Sequence, residues 1–169
     1  MEFRLANASP KGKVNRSVLM LFQFLVGTLV SVINIGLHAL ATVVAISIAR
    51  AAGLRPTSRP QLHLMGVMVA TAAVLHVAHT LEVLVWVRTY RLVEAAPPES
   101  DLLYFAFVNY TTLGYGDITP VREWRLIGPL TAMNGILLFG WSAAILFEVL
   151  RKTLGHLEAN EWFPGRKDV

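Results

Sequence analysis

The sequence contains no cysteine and little charge: of its 169 residues only 15% are charged, whereas 54% are hydrophobic. The lack of cysteine excludes disulfide bonds and thiolate metal sites. Soluble domains usually carry about 25% charged residues, so this composition indicates a protein that lies largely within a membrane. The net charge of +4 does not indicate nucleic-acid binding. The Lys and Arg residues flank the apolar runs, as they do at membrane interfaces, and no basic stripe is interleaved with aromatic residues.

Several functional signatures are also missing. No apolar run carries arginine at every third position, as a voltage-sensing helix does. The sequence has no glycine-rich phosphate loop and no dinucleotide fingerprint. No set of nucleophile, base and acid is evident. We therefore expect a protein that is not an enzyme and that uses no cofactor.

Three apolar runs are each long enough to cross a bilayer, which takes about 20 residues. They cover 18–49, 61–88 and 126–150, and basic residues lie near their ends. Between the last two lies a shorter apolar segment, 101–112, which is too short to cross and too apolar to lie in water. The sequence therefore predicts an all-α membrane protein with three transmembrane helices and a re-entrant helix that leads into a glycine-rich loop.

The glycine-rich loop reads TTLGYGD, residues 111–117. In a bilayer an unpaired backbone carbonyl is costly, so irregular chain persists there only when something else satisfies it. A dehydrated cation is one such partner. The glycines allow backbone angles that other residues resist, so the carbonyls from Thr112 through Tyr115 can point the same way, with the Thr112 hydroxyl beneath them. The preceding short helix would direct the negative end of its dipole toward the inner vestibule, which favours a cation.

This motif closely resembles the selectivity-filter signature of potassium channels, and the resemblance extends over 61–152. In that family's order, the chain would provide an outer helix at 61–88, a pore helix at 101–112, a filter at 112–117 and an inner helix at 126–150. Outside this pore module lie an N-terminal segment, 1–60, with the extra transmembrane helix and a cytoplasmic loop, and a short cytoplasmic tail, 153–169. The resemblance implies a homotetramer in the lipid bilayer, because each chain carries one filter loop and four of them ring an ion. It also implies K+ as the permeant ion.

The resemblance assigns roles to individual residues as well. The backbone carbonyls that would bind K+ belong to Thr112, Leu113, Gly114 and Tyr115, and Gly116 would permit the turn at the outer mouth. Filter support would come from Thr111, Asp117 and Tyr104, the last placed to donate a hydrogen bond to Asp117. Gly135 matches the glycine at which relatives bend the inner helix. Helical turns counted from it give a predicted cavity lining and gate of Gly135, Ile136, Phe139, Gly140, Ala143 and Phe147.

Three alternatives to a potassium channel are open. The motif carries Leu113 where relatives usually carry valine, so a weakly selective cation channel is one of them. A non-conducting membrane subunit that assembles with other pore chains is the second. The third, a membrane metalloenzyme that uses His76, His79 and Glu82, would need further ligands and a substrate cavity. The retained threonines, glycines and tyrosine favour conduction.

Polar residues line one face of each of the first two predicted helices. Asn34 and His38 lie one turn apart in the first, and His76, His79 and Glu82 follow one another at spacings of three in the second. A hairpin that turns near residue 55 would place Asn34 level with His76, and His38 level with residue 72 or so. An ionisable side chain within a span is a functional candidate. Three interpretations are open: an interhelical hydrogen-bond network, a proton sensor built on a His79–Glu82 pair, and a metal site.

The orientation and location follow from the filter and the composition. An outward-facing filter mouth places the start of the first helix outside, although the basic residues are then divided almost evenly between the two sides, against the positive-inside tendency. The sequence is rich in Ala, Leu, Val and Arg, which favours a bacterial inner membrane. We therefore expect a multi-pass protein of a cell membrane.

Overall fold

A computed structural model describes residues 16–53 and 58–159 of the chain. Within these residues all regular secondary structure is helical: α1 (Arg16–Gly53), α2 (Pro60–Leu92), α3 (Leu102–Tyr110), a short 3₁₀ helix (Arg122–Trp124) and α4 (Ile127–Ala159). The stretches long and apolar enough to cross a membrane are Arg16–Ala52, Pro60–Leu92 and Arg122–His156. The predicted fold class, an all-α membrane protein with three spanning helices and a short helix before the last, is confirmed. The tetramer stays a prediction.

The spanning helices are longer than predicted. α1 has 38 residues, and α2 and α4 have 33 each. At about 1.5 Å per residue each exceeds the ~30 Å hydrocarbon core of a bilayer, so their ends project beyond it. α2 continues past 88 to Leu92, because the arginines in its last turns, Arg88 and Arg91, are good helix formers. The chain turns just beyond that end, where Glu94 has a positive φ of 51°.

α4 also continues beyond its predicted end at 150. The helix runs to Ala159, so the first residues of the predicted tail, 153–159, are helical. Ion pairs from Glu148 to Arg151 (2.8 Å) and to Lys152 (3.0 Å) join adjacent turns at this end of the helix, which supports its continuation. The predicted turn near residue 55 and the segments 1–15 and 160–169 lie outside the described residues. The limits of the predicted domains stay a prediction.

α3 is shorter than the predicted 101–112. The Asp101 side chain caps its first turn by accepting hydrogen bonds from the backbone N–H groups of Leu103 (3.0 Å) and Tyr104 (3.1 Å). The helix ends at Tyr110, because Thr112 takes a φ of 62°, which an α-helix does not allow. The residues that follow Tyr110 therefore belong to the loop.

α1 and α4 run parallel along their shared interface. Their contacts pair Gln23 with Leu126, Gly27 with Leu130, Asn34 with Asn134 and His38 with Ser142. The hydrogen-bonded pairs are all 100 to 104 residues apart in sequence, and a nearly constant offset along two helices means that they point the same way. α2 is antiparallel to both.

Aromatic side chains fill much of the core between α2, α3 and α4. The fully buried ones are Trp86 and Tyr90 from α2 and Phe105 and Tyr110 from α3, and the aliphatic Ile127 at the start of α4 is buried with them. Tyr90 packs against Trp86 and Phe105 with ring centroids 6.0 and 5.1 Å apart, distances typical of tilted aromatic pairs. This core fixes α3, and with it the loop that follows, against the two helices on either side.

Candidate functional site

The loop after α3 has an alternating backbone. Thr112, Gly114 and Gly116 have φ angles of 62°, 58° and 79°, whereas Leu113 and Tyr115 between them do not have positive φ. In an ordinary strand successive peptide units face opposite sides. Left-handed residues at every second position instead turn successive peptide groups the same way. The predicted row of carbonyls requires a backbone of this kind.

Thr112 is the surprising member of this series. The glycines were predicted to supply the unusual angles, and a left-handed conformation suits them. A non-glycine residue in that region costs on the order of 1–3 kcal/mol, so the surrounding structure must hold Thr112 in place. The sequence offered no signal for this beyond the position of Thr112 two residues before Gly114.

Backbone hydrogen bonds tie the start of the loop to α3. The N–H of Thr112 donates to the Asn109 carbonyl (3.0 Å), and the N–H of Leu113 donates to the Val108 carbonyl (3.0 Å). The N–H of Gly114 also points to the Val108 carbonyl, at 3.4 Å. These bonds satisfy carbonyls at the end of α3 and turn the loop's N–H groups toward that helix. Among the described residues, no backbone hydrogen bond ends on the carbonyls of Thr112 through Tyr115.

The acid at the end of the motif is held by α3. The Tyr104 hydroxyl donates a hydrogen bond to Asp117 Oδ2 at 2.7 Å, the contact that the sequence predicts, and the N–H of Ile118 donates to Asp117 Oδ1 at 3.0 Å. The bond from Tyr104 lowers the pKa of Asp117 and raises that of Tyr104, because it favours the charged carboxylate and the neutral phenol. Both groups are exposed in the single chain.

Gly135 lies where α4 comes closest to the end of α3. It is buried, and a Cβ at this position would overlap the backbone carbonyl oxygen of Tyr110. α4 is a single helix through this point, and the glycine allows its close packing against Tyr110. Its role as a gate stays a prediction. Sequence reasoning missed the contact because Tyr110 and Gly135 are far apart in the chain.

All the predicted cavity residues except Gly135, which is buried against Tyr110, share one face of α4. In the single chain the exposed members are Ile136, Phe139, Gly140, Ala143 and Phe147. They follow one another at helical spacing, opposite the buried positions Asn134, Leu138 and Ser142. The ring of Phe139 also packs against His79 and Tyr110, with centroids 4.5 and 5.5 Å apart.

A buried acid is the centre of a second site. Glu82 on α2 is fully buried and is hydrogen-bonded to side chains of three helices. His38 Nδ1 lies 2.8 Å from Oε1, His79 Nδ1 lies 3.0 Å from Oε2, and the Tyr110 hydroxyl donates to Oε2. The predicted contact between His79 and Glu82 is therefore formed. Removal of one partner of such a buried charge strongly destabilises the folded protein.

Ser142 on α4 closes this site into a ring. Its Oγ lies 2.8 Å from His79 Nε2 and 3.3 Å from His38 Nε2. We call the four side chains of Glu82, His38, Ser142 and His79 the polar ring. Each is bonded to the next, and the last is bonded to the first. α1, α2 and α4 each contribute to it, and Tyr110 attaches it to the end of α3.

Two predictions about the polar face are corrected. His76 is exposed and takes no part in the ring. His38 and Asn34 are not level with residues 72 and 76: His38 bonds the Glu82 carboxylate, and Asn34 Nδ2 lies 3.3 Å from the Glu82 backbone carbonyl. The predicted hairpin was too tight, since α1 extends to Gly53 and α2 begins only at Pro60, which moves each partner along α2.

Polar residues on α4 join this site, and sequence reasoning missed two of them, Thr131 and Ser142. Asn134 Oδ1 accepts hydrogen bonds from Asn34 Nδ2 and from Trp86 Nε1, each at 3.0 Å. Thr131 Oγ1 and the Tyr90 hydroxyl lie 2.6 Å apart. The signal was present in the sequence, because Thr131, Asn134 and Ser142 share one helical face of the third span, spaced as the buried stripe of a helix is.

The ring is also the only place in the described part of the chain where groups suited to a metal converge. His38, His79 and Glu82 bring ligand atoms within 4.8 Å of one another. Two imidazoles and a carboxylate are ligands that Zn²⁺ accepts. In this structure each of those atoms is a partner in a hydrogen bond of the ring or its attachments.

A family model described as "Ion channel" matches residues 66–152, which is more than half of the chain. The match covers most of α2, all of α3, the TTLGYGD loop and α4 down to Lys152. α1, which supplies His38 to the polar ring, lies outside it. No curated protein and no solved structure matches the chain.

Proposed function

The chain belongs to the ion channel family, and we propose that it forms a homotetrameric channel that conducts dehydrated K+ passively through the carbonyls of Thr112, Leu113, Gly114 and Tyr115. It is a multi-pass membrane protein with three helices able to span the bilayer, and its family points to ion passage rather than catalysis. We further propose that K+ is the permeant ion, that no cofactor is needed, and that the protein resides in a bacterial inner membrane.

The alternating backbone of the loop carries this proposal. Left-handed φ angles at Thr112, Gly114 and Gly116, with the N–H groups of Leu113 and Gly114 turned toward α3, leave a row of carbonyls on the other side. Such rows, contributed by four chains around an axis, replace the hydration shell of K+. A single chain provides one wall of this cage, so the function requires assembly.

The exposed apolar residues support assembly about the same side of the molecule. Leu113 and Tyr115 are 54% and 68% exposed in the single chain, and Ile136 and Phe147 on α4 are 61% and 67% exposed. A large exposed apolar surface marks a site of association, and here such a surface covers the filter loop and the inner helix. In the proposed tetramer, Leu113 and Tyr115 pack behind the filter, and the stripe on α4 lines the inner cavity.

The test is the reversal potential of the full-length protein in a planar bilayer, with both ions on both sides and opposing gradients of K+ and Na+. We expect a reversal close to the K+ equilibrium potential, and a reversal of opposite sign when the two solutions are exchanged. Current that reverses near zero would contradict K+ selectivity and favour the weakly selective cation channel. Incorporated protein that passes no current under either gradient would favour the non-conducting subunit.

A further inference from the structure

The polar ring is a closed circuit of hydrogen bonds. Starting at Glu82 Oε1, it runs to His38 Nδ1 (2.8 Å), from His38 Nε2 to Ser142 Oγ (3.3 Å), from Ser142 Oγ to His79 Nε2 (2.8 Å), and from His79 Nδ1 back to Glu82 Oε2 (3.0 Å). Each of these four links joins two electronegative atoms. A link is attractive only when one proton lies between its two atoms.

The side chains in their ordinary forms do not supply enough protons for the ring. A neutral imidazole carries one N–H, a serine hydroxyl carries one O–H, and a carboxylate carries none. Two imidazoles and one hydroxyl therefore bring three protons to the four links of the ring. With three, one link would set two lone pairs against each other inside a buried site, and Glu82 would keep an uncompensated charge. The Tyr110 hydroxyl lies 2.9 Å from His79 Nδ1 and donates to Glu82 Oε2, so it can relieve the repulsion at that corner but does not neutralise the charge.

One additional proton removes both problems. Placed on either imidazole, it lets that ring donate through both nitrogens, while the Ser142 hydroxyl donates to the other imidazole. Placed on Glu82, it yields the same number of filled links, with the carboxyl group donating to His38 Nδ1. In every arrangement the ring is complete and its net charge is zero, the condition that favours burial of ionisable groups. A second additional proton would leave a net positive charge.

We propose that the polar ring is an intramembrane proton-binding site that holds one proton per chain, shared among Glu82, His38 and His79. The titratable neighbours of Glu82 are His38 from α1, His79 from its own helix and Tyr110 from α3. α4 contributes Ser142, which contacts the two imidazoles and not Glu82 itself. Its hydroxyl does not titrate in the physiological range. The compensating charge therefore comes from the imidazoles.

Tyr110 connects the polar ring to the filter loop, so that protonation of the ring can affect the filter. This step rests on the proposed function. Its hydroxyl donates to Glu82 Oε2, and its backbone carbonyl packs against Gly135. It is the last residue of α3, directly before the TTLGYGD loop. Loss of the ring proton opens one link and leaves a net negative charge beside Tyr110, so the end of α3 loses part of its support and the current changes with pH.

A metal ion would be the competing occupant. It would displace the protons of the ring and bind the nitrogens and the carboxylate directly. The closed circuit favours the proton, since every polar atom of the ring already faces a partner at hydrogen-bond distance. A metal would require these links to break. Zinc retained by the protein at one equivalent per chain after exhaustive dialysis would overturn the proton site.

The proton count can be measured directly on the histidines. In full-length protein reconstituted in lipid, replacement of His63, His76 and His156 by Gln leaves the two ring histidines as the only imidazoles. Nitrogen NMR with ¹⁵N-labelled histidine then reports their protonation, and it does so whether or not the protein conducts. We expect one shared extra proton at neutral pH, lost as a single proton per chain when the pH is raised. Two charged imidazoles at neutral pH would overturn the proposal, and so would two neutral imidazoles together with an ionised Glu82, which ¹³C NMR of the labelled carboxyl group reports.

Glu82→Gln is the decisive variant. The glutamine amide can donate from the Oε1 position to His38 Nδ1 and accept at the Oε2 position from His79 and Tyr110, so it supplies the fourth proton of the ring itself. We expect both histidines to stay neutral over the whole titration, and the current to stay at the level of the proton-bound wild type. Glu148→Gln, the same change at an exposed glutamate outside the ring, should keep the wild-type titration.

The outcomes separate the two proposals. Wild-type histidine titration in a protein that passes no current would support the proton site and count against conduction. K+ current together with a wild-type pH response in Glu82→Gln would retain the channel and overturn the link from the ring to the filter. If Glu82→Gln does not assemble, the titration of the wild-type histidines decides by itself.

Discussion

The filter loop and the polar ring solve the same problem in opposite ways. Both place polar atoms where a bilayer offers no water, and such atoms need partners. In the loop the backbone N–H groups of Leu113 and Gly114 are bonded to α3, and a cation is the proposed partner of the carbonyls. In the ring, side chains are bonded to one another, and one additional proton is the proposed ligand. If both proposals hold, the loop selects its ion by backbone geometry, and the ring binds its proton because its donors are too few.

The two regions meet at Tyr110. Its hydroxyl is hydrogen-bonded to Glu82 of the polar ring, its aromatic side chain packs against Phe139, and its backbone leads into the loop. A change at this residue should disturb both sites, whereas changes farther away should disturb one. The variants below are ordered by the size of the effect that this comparison predicts.

Gly135→Ala should have the largest effect, because it disturbs Tyr110, the residue that both regions share. The new Cβ would overlap the Tyr110 carbonyl, and backbone cannot yield as a flexible side chain does. We expect a loss of about 3 kcal/mol per chain in the free energy of unfolding, the upper end of the usual range for overpacking, with loss of current. Denaturant titration in detergent measures it. Gly155→Ala, on the same helix with open space around its Cβ, is the control and should not be destabilised.

Gly114→Ala should damage the filter and spare the ring. A Cβ at a φ of 58° costs about 1–2 kcal/mol. In the proposed tetramer each chain would bear this cost. We expect K+ selectivity to be lost, so that the reversal potential moves toward zero, while the histidine titration is unchanged. Gly36→Ala, which adds the same group to an exposed position of α1, should keep the wild-type reversal potential. Unaltered selectivity in Gly114→Ala would contradict the filter assignment.

Trp86→Phe should weaken the packing beside the ring without changing the filter. The indole N–H donates to Asn134 Oδ1 at 3.0 Å, and its loss, with the smaller ring, should lower the free energy of unfolding by about 1–3 kcal/mol. A double-mutant cycle with Asn134→Ala should show a coupling of about 1 kcal/mol for the bond itself. Additive effects would mean that the hydrogen bond contributes nothing. The reversal potential should be unchanged.

Tyr104→Phe should give the smallest effect and one that depends on pH. The Tyr104 hydroxyl bonds Asp117 and lowers its pKa, so this contact is present at neutral pH and is lost as the pH falls through the lowered pKa. Without the donor, Asp117 takes up its proton at a higher pH. We therefore expect any decline of current on external acidification to begin at a higher pH in the variant. Glu123→Gln, an exposed acid in the 3₁₀ helix, should leave the wild-type profile, and an identical profile in Tyr104→Phe would show that the bond has no role.

Local patterns in the sequence were sufficient for much of the molecule. The apolar runs gave the spanning helices, since hydrophobic length is a local property, and TTLGYGD gave the position of the loop. The His79–Glu82 contact was predictable because side chains three residues apart meet on one helix face. The helix ends were misjudged, because arginine and lysine continue a helix as readily as they mark an interface.

The long-range contacts were not predictable in the same way. His38 was placed well away from its partner, His76 was included although it is exposed, and Ser142 and Tyr110 were missed. Each of these depends on how one helix is positioned along and around another. Apolar helix faces fit at several registers with similar burial, so the pattern on one helix does not specify which residue lies opposite.

The sequence by itself determined that this protein has three membrane-spanning helices and a glycine-rich loop of the ion channel family, because hydrophobic length and glycine spacing act within short stretches of chain. Only the tertiary structure decided that Thr112 joins the glycines in a left-handed conformation, that Gly135 admits the backbone of Tyr110, and that Glu82 closes a ring with residues from two other helices. Those features depend on contacts between distant parts of the chain, and such contacts exist only once the helices have packed.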